Sequence, residues 1–260
     1  MTDWPPLLDR IAREPDPELW NDLWSALCHQ GSVYPASFTA LPWLAETAGG
    51  DDREQSVNAL VLAGAIMAGA EQPHGAGDVR AQYTAEIESL LTAVNQQLRT
   101  ASDRTDYLHL LAAVPAFEGA ADWSEVLARG LGDREYELDC PGCRTALFIA
   151  LGEQGFFSTT EDYARSDADV TTSPLLPAAP ADLHIIPRRL HATALSDGHP
   201  ELAHTLTHLL GHTTCPNCET HFSLAELITT TQPPPAPPWR ARWSASAGYG
   251  VSLFSSWILP

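Results

Sequence analysis

Two short motifs hold the residue types most able to do chemistry. Cys140-Pro-Gly-Cys143 and Cys215-Pro-Asn-Cys218 are C-x-x-C knuckles. A turn of that length holds two thiolates close enough to share one tetrahedral metal ion, and a second turn closes the coordination shell. Proline after the first cysteine, with Gly142 or Asn217 before the second, suits the tight turn that aims backbone amides at sulfur. The expected centre is a structural zinc ion, Zn2+, held by Cys140, Cys143, Cys215 and Cys218, with no open position for a substrate. The competing chemistry is a redox dithiol, in which the two pairs would act independently and the protein would carry no metal. The 71 residues between Cys143 and Cys215 are far more than two adjoining knuckles need. The intervening segment must therefore be an insertion that carries the second knuckle back to the first.

Histidines crowd the approach to the second knuckle: His191, His199, His204, His208 and His212. His204, His208 and His212 are four apart, which on a continuous helix puts them on one face. Two histidines at that spacing can chelate a metal. The zinc-protease pattern needs a glutamate directly after the first, and His204-Thr-Leu-Thr-His208 has none, so that reading is disfavoured. The expected role is a polar helix face with one histidine near the zinc. Cys28 and His29 are adjacent, and neighbours on a helix do not face each other, so Cys28 is expected to be a small buried apolar residue. Trp20, Trp24 and Trp43 stand at core spacing. The chain contains no G-x-G-x-x-G, P-loop or G-x-S-x-G motif, and Gly75-Ala-Gly77 reads as a turn.

The elements that must position the knuckles are mostly helical. Residues 1–134 read as successive helices over Pro17–His29, Pro35–Ala48, Arg53–Ala70, Asp78–Arg99, Thr105–Phe117 and Asp122–Leu131. Asp16 and Pro17 make a cap and first-turn pair, Gly31 ends that helix, and Pro42 is expected to bend the next. Short connections between helices imply antiparallel neighbours, stacked as an α-solenoid in preference to a closed bundle. From Arg134 the texture changes. Glu135–Asp139 alternates polar and apolar, and Thr145–Leu151 is rich in strand formers, so strand, knuckle and strand resemble half a zinc ribbon. Ser158–Asp182 reads as a loop, followed by helices over Pro187–Leu195, Pro200–Gly211 and Leu224–Ile228. The domains expected are a helical-repeat region over 1–134, a zinc-ribbon-like segment with an inserted helix pair over 135–231, and a Pro-rich linker with an aromatic tail over 232–260.

Composition limits the partners. The 260 residues are 44% hydrophobic, enough to bury a core, and carry a formal charge of −19. By region the charge is −12 over 1–134, −9 over 135–231 and +2 over 232–260. Such an acidic chain repels phosphate, so neither nucleic acid nor an anionic membrane surface is expected as a partner. No apolar run approaches the ~20 residues of a membrane span. Met1-Thr-Asp-Trp-Pro-Pro lacks the build of a signal peptide, and five cysteines without one do not suggest a disulfide framework. A cytoplasmic location is expected.

The segment from Leu23 to Pro42, Leu-Trp-Ser-Ala-Leu-Cys-His-Gln-Gly-Ser-Val-Tyr-Pro-Ala-Ser-Phe-Thr-Ala-Leu-Pro, resembles the opening of an actinobacterial family of uncharacterised HEAT-like helical-repeat proteins. Tyr107–Gly119, followed by Trp123, is similar to a later repeat of that family. The resemblance implies a mainly α, HEAT/ARM-like α-solenoid of antiparallel helix pairs, here with a small zinc-ribbon-like β element. Stacks of this kind serve as binding surfaces and share no catalytic residues. The expected function is accordingly a non-enzymatic protein-interaction module that presents an acidic surface to a basic protein partner. An immunity-type version of it would neutralise a basic toxin. The alternative is a zinc- or thiol-dependent enzyme using the C-x-x-C pairs or the His204/His208/His212 face.

Overall fold

A computed structural model describes residues 4–29, 32–72, 75–161, 163 and 170–230. The expected Pro-rich linker and aromatic tail over 232–260 lie outside the described residues, as does Gly31. Contacts divide the chain into two compact units, one running to Glu125 and one beginning at Val126.

In the first unit, helix starts follow the caps written in the sequence. Helix α1, Pro5–Arg13, opens on two prolines and buries Leu7 and Ile11. Helix α2, Pro17–Leu27, is capped by the Asp16 carboxylate, which accepts from the Glu18 amide at 2.8 Å; such a cap contributes about 1 kcal/mol. It stops two residues before the expected end. The Ser37 hydroxyl donates to the Leu27 carbonyl at 2.7 Å, and Cys28–His29 (β1) pairs antiparallel with Ser32–Val33 (β2). A 3-10 turn over Pro35–Ala40 then leads into α3, Leu41–Ala48. Pro42 falls in the first turn of α3, where a missing N–H costs nothing, so it starts a helix and does not bend one.

Helix α4, Arg53–Ala68, follows a cap by Asp52. The expected long helix from Asp78 is broken at Tyr83 into α5, Val79–Gln82, and α6, Thr84–Leu98. Helix α7, Arg104–Phe117, is capped by Asp103, and α8 spans Ala121–Leu127. Helix α4 packs against α3 and α7, and α6 packs against the same two. Leu60, Leu62, Ile66 and Met67 of α4 are fully buried, as are Leu110 and Leu111 of α7 to within 1%; each such side chain contributes roughly 1.5–3 kcal/mol of transfer free energy. Gly64 lets α4 and α7 touch backbone to backbone, since a Cβ there would lie 2.6 Å from the Cβ of Ala113.

The second unit opens with a π-helical turn over Ala128–Asp133. A four-stranded antiparallel sheet follows in chain order: β3, Glu135–Asp139; β4, Ala146–Gly152; β5, Gly155–Thr159; and β6, Thr172–Pro174. Strands β5 and β6 occupy part of the stretch read as a loop. The polar composition of that stretch hides them, yet Ser158 and Thr159 are fully buried. Helices α9, Ile185–Ser196, and α10, Pro200–Leu209, lead to a two-stranded sheet of β7, His212–Thr214, and β8, His221–Ser223. Helix α11, Leu224–Thr230, ends the described chain. Helix α10 lies against β4, and Leu202, Leu206 and Leu209 of the helix are buried, as are Leu147, Ile149 and Leu151 of the strand. The protein is thus mainly helical with small antiparallel sheets. No helix among the described residues is long and apolar enough to cross a membrane.

Candidate metal centre

Each knuckle is the turn of an antiparallel hairpin, β3–β4 for the first and β7–β8 for the second. The two turns have the same construction. The Cys140 amide donates to the Thr145 carbonyl at 2.9 Å and the Arg144 amide to the Cys140 carbonyl at 2.9 Å. In the second knuckle, Cys215 donates to Thr220 at 2.9 Å and Glu219 to Cys215 at 3.0 Å. Arg144 and Glu219 both adopt left-handed backbone, φ 62° and 59°. A side chain there costs on the order of 1–2 kcal/mol, which the loop must offset. The knuckles are therefore copies of one pattern, Cys-Pro-x-Cys-x-Thr. Thr145 and Thr220 belong to the site, and their matching place two residues past each second cysteine is the sequence signal for them.

The insertion does bring the knuckles together. All four sulfurs lie within 4.8 Å of one another. Cys140 Sγ is 3.6 Å from Cys218 Sγ, and Cys143 Sγ is 3.8 Å from Cys215 Sγ. A tetrahedral ion with bonds of about 2.3 Å spaces its sulfurs about 3.8 Å apart, whereas a disulfide needs about 2.05 Å. All four are free thiols, so the arrangement can hold a metal ion. Among the described residues this is the one group of three or more metal-capable side chains.

Electrostatics at the four sulfurs are unequal. Cys140 and Cys215 are fully buried, Cys143 is half-buried and Cys218 is exposed. Burial pushes the Cys140 thiol up to about 12. The Thr145 hydroxyl, 3.3 Å from Cys143 Sγ, and the Asn217 amide, 3.5 Å away, hold the Cys143 thiol down to about 5. The Thr220 hydroxyl, 3.2 Å from Cys218 Sγ, lowers that thiol in the same way. Burial disfavours the Cys140 thiolate, and a thiophilic divalent cation would supply the balancing charge. The donor set fits such an ion.

The three spaced histidines do not share a helix face. Helix α10 ends at Leu209, and His212 stands on β7, where its backbone bonds both ways with Leu176 at 2.8 and 2.9 Å. That bridge takes His212 out of the helix. His204 is exposed, while His208 is buried, with Nδ1 3.1 Å from the His204 carbonyl. The ring of Phe156 on β5 stacks on His208 at 4.0 Å between centroids and meets His204 edge-on at 5.4 Å. Desolvation lowers the pKa of His208. His212 stacks on His221 across the hairpin at 5.9 Å. His191 and His204 line an open groove of about 540 Å³, walled by Pro177, Pro180, Leu195 and Pro200. Cys28 is buried, as expected for a small core residue.

No family model, curated protein or solved structure matches the chain.

Proposed function

We propose that the chain is a non-enzymatic protein-interaction module whose acidic surface receives a basic protein and whose Cys140, Cys143, Cys215 and Cys218 hold a structural zinc ion. The observation that carries this reading is the gathering of four thiols at tetrahedral spacing. Four sulfur ligands fill the shell of a zinc ion and leave no position for a substrate, which is the mark of a structural site. Hairpin, knuckle, hairpin and knuckle fit the zinc-ribbon pattern with α9 and α10 inserted. In the first unit, α3 lies beside α6 and α4 beside α7. Consecutive antiparallel pairs stack in that way in HEAT-like solenoids, which supports the helical-repeat reading. Reduced thiols suit a cytoplasmic setting.

The formal charge of −19 gives the surface its specificity: it steers cationic partners at long range and repels nucleic acid and anionic membranes. In the immunity-type version, the partner is a basic toxin whose active site the acidic surface covers. Affinity capture from the native host at low and moderate salt tests the reading. A basic protein retained at low salt and weakened by added salt is the expected result. Recovery of no partner at either salt would count against it.

A further inference from the structure

The two knuckles are alike in backbone and differ in cover. Asn217, the residue before the second cysteine of its knuckle, reaches across to the other one, placing its amide 3.5 Å from Cys143 Sγ and 3.2 Å from the Thr145 hydroxyl. Gly142 occupies the matching place in the first knuckle and has no side chain to return the cover. A Cβ on Gly142 would lie 3.4 Å from Cys218 Sγ and would collide with the Thr220 hydroxyl. Glycine is therefore enforced there, and the sulfur it leaves open is that of Cys218. The burial follows this asymmetry: Cys143 is half-buried and Cys218 exposed, while Cys140 and Cys215 are fully buried.

We infer that Cys218 is the oxidation site of the cluster, where hydrogen peroxide enters and converts the metal site into a disulfide joining the two knuckles. The inference rests on the zinc reading for the release of metal, and on geometry for the choice of sulfur. The Cys218 thiolate attacks one peroxide oxygen; an S–O bond forms, the O–O bond breaks and hydroxide leaves. The product is a sulfenic acid at Cys218. The Cys140 thiolate, 3.6 Å away, then attacks the Cys218 sulfur; the S–S bond forms, the S–O bond breaks and a second hydroxide leaves. Two thiolates have been oxidised by two electrons and one peroxide reduced. Only Cys143 and Cys215 remain as ligands, so the ion is released.

The test uses full-length, metal-loaded protein, treated with one equivalent of hydrogen peroxide in the presence of dimedone and mapped by peptide mass spectrometry. The expected result is dimedone on Cys218 about tenfold above Cys143. Without dimedone, a Cys140–Cys218 disulfide should form with release of one zinc per disulfide. Asn217→Gly, which uncovers Cys143, should bring its labelling level with that of Cys218. Labelling that starts at Cys143, a disulfide confined to one knuckle, or a selectivity unchanged in Asn217→Gly would each overturn the inference. Zinc content before peroxide keeps the two readings apart. A metal-free protein still labelled at Cys218 refutes the zinc reading alone, and a zinc-loaded protein labelled first at Cys143 refutes this inference alone.

Discussion

The sulfurs of Cys140 and Cys218 lie 3.6 Å apart although the two residues are 78 positions apart in the chain. Holding those sulfurs together closes a long loop around β4, β5, β6, α9, α10 and β7, so a metal ion bound there would contribute directly to the folding of the second unit. Cys140→Ser should lose the metal and cost more than about 4 kcal/mol. Urea unfolding beside metal analysis checks this, and a strong chelator should reproduce the loss in the wild-type protein. A variant of wild-type stability would contradict it.

Thr145 and Asn217 hydrogen-bond the Cys143 sulfur and are not among the four residues that could ligate an ion. Thr145→Val and Asn217→Ala should each weaken zinc binding by about 10- to 100-fold. Competition against a chromophoric chelator gives the number, with far-UV circular dichroism confirming that the fold is kept. Unchanged affinity in both variants would show that these contacts do not tune the site.

The cysteine pairs were legible because a C-x-x-C turn is a local pattern, and the cap at Asp16 is legible for the same reason. The differing cover of Cys143 and Cys218 was not legible. It depends on Asn217 meeting Thr145 across 72 residues, and no local pattern encodes that meeting. Helix α1 is not among the helices expected from the sequence: its nine residues are little more than two turns, and of Leu7, Leu8 and Ile11 only Leu7 and Ile11 are buried. Spacing by four puts His204, His208 and His212 on one face only if the helix continues, and α10 stops at Leu209, before the backbone bridge from His212 to Leu176. Phe156 carries no local signal of a role, because its stacking on His208 depends on α10 folding back over the sheet.

Gly64 makes a case where local and tertiary effects oppose each other. In an exposed helix, glycine to alanine is stabilising by about 1 kcal/mol. Here the new methyl would meet Ala113, and α4 and α7 would have to move apart. Gly64→Ala should therefore destabilise the first unit by about 1–3 kcal/mol. A thermal unfolding midpoint equal to or above that of the wild-type protein would contradict the close approach.

His109 gives the first unit a pH dependence. Burial lowers its imidazole from 6.5 to about 4, against a smaller opposing pull from Asp103. Between those values the unfolded chain binds the proton and the folded one does not, so stability is full above pH 6.5 and is lost as pH falls toward 4. The loss attributable to this one group is up to about 3 kcal/mol. His109→Gln should flatten that part of the profile in urea unfolding measured from about pH 7 to pH 4.5. An identical slope in wild type and variant would assign the dependence to other groups.

The most direct test of the central claim is the metal content of the purified protein, measured by plasma mass spectrometry. One zinc per chain is predicted, with no free thiol titre at Cys140, Cys143 or Cys215 until the metal is removed by a chelator or by oxidation. A folded protein that holds no metal and exposes reactive thiols at Cys143 and Cys218 would contradict the claim.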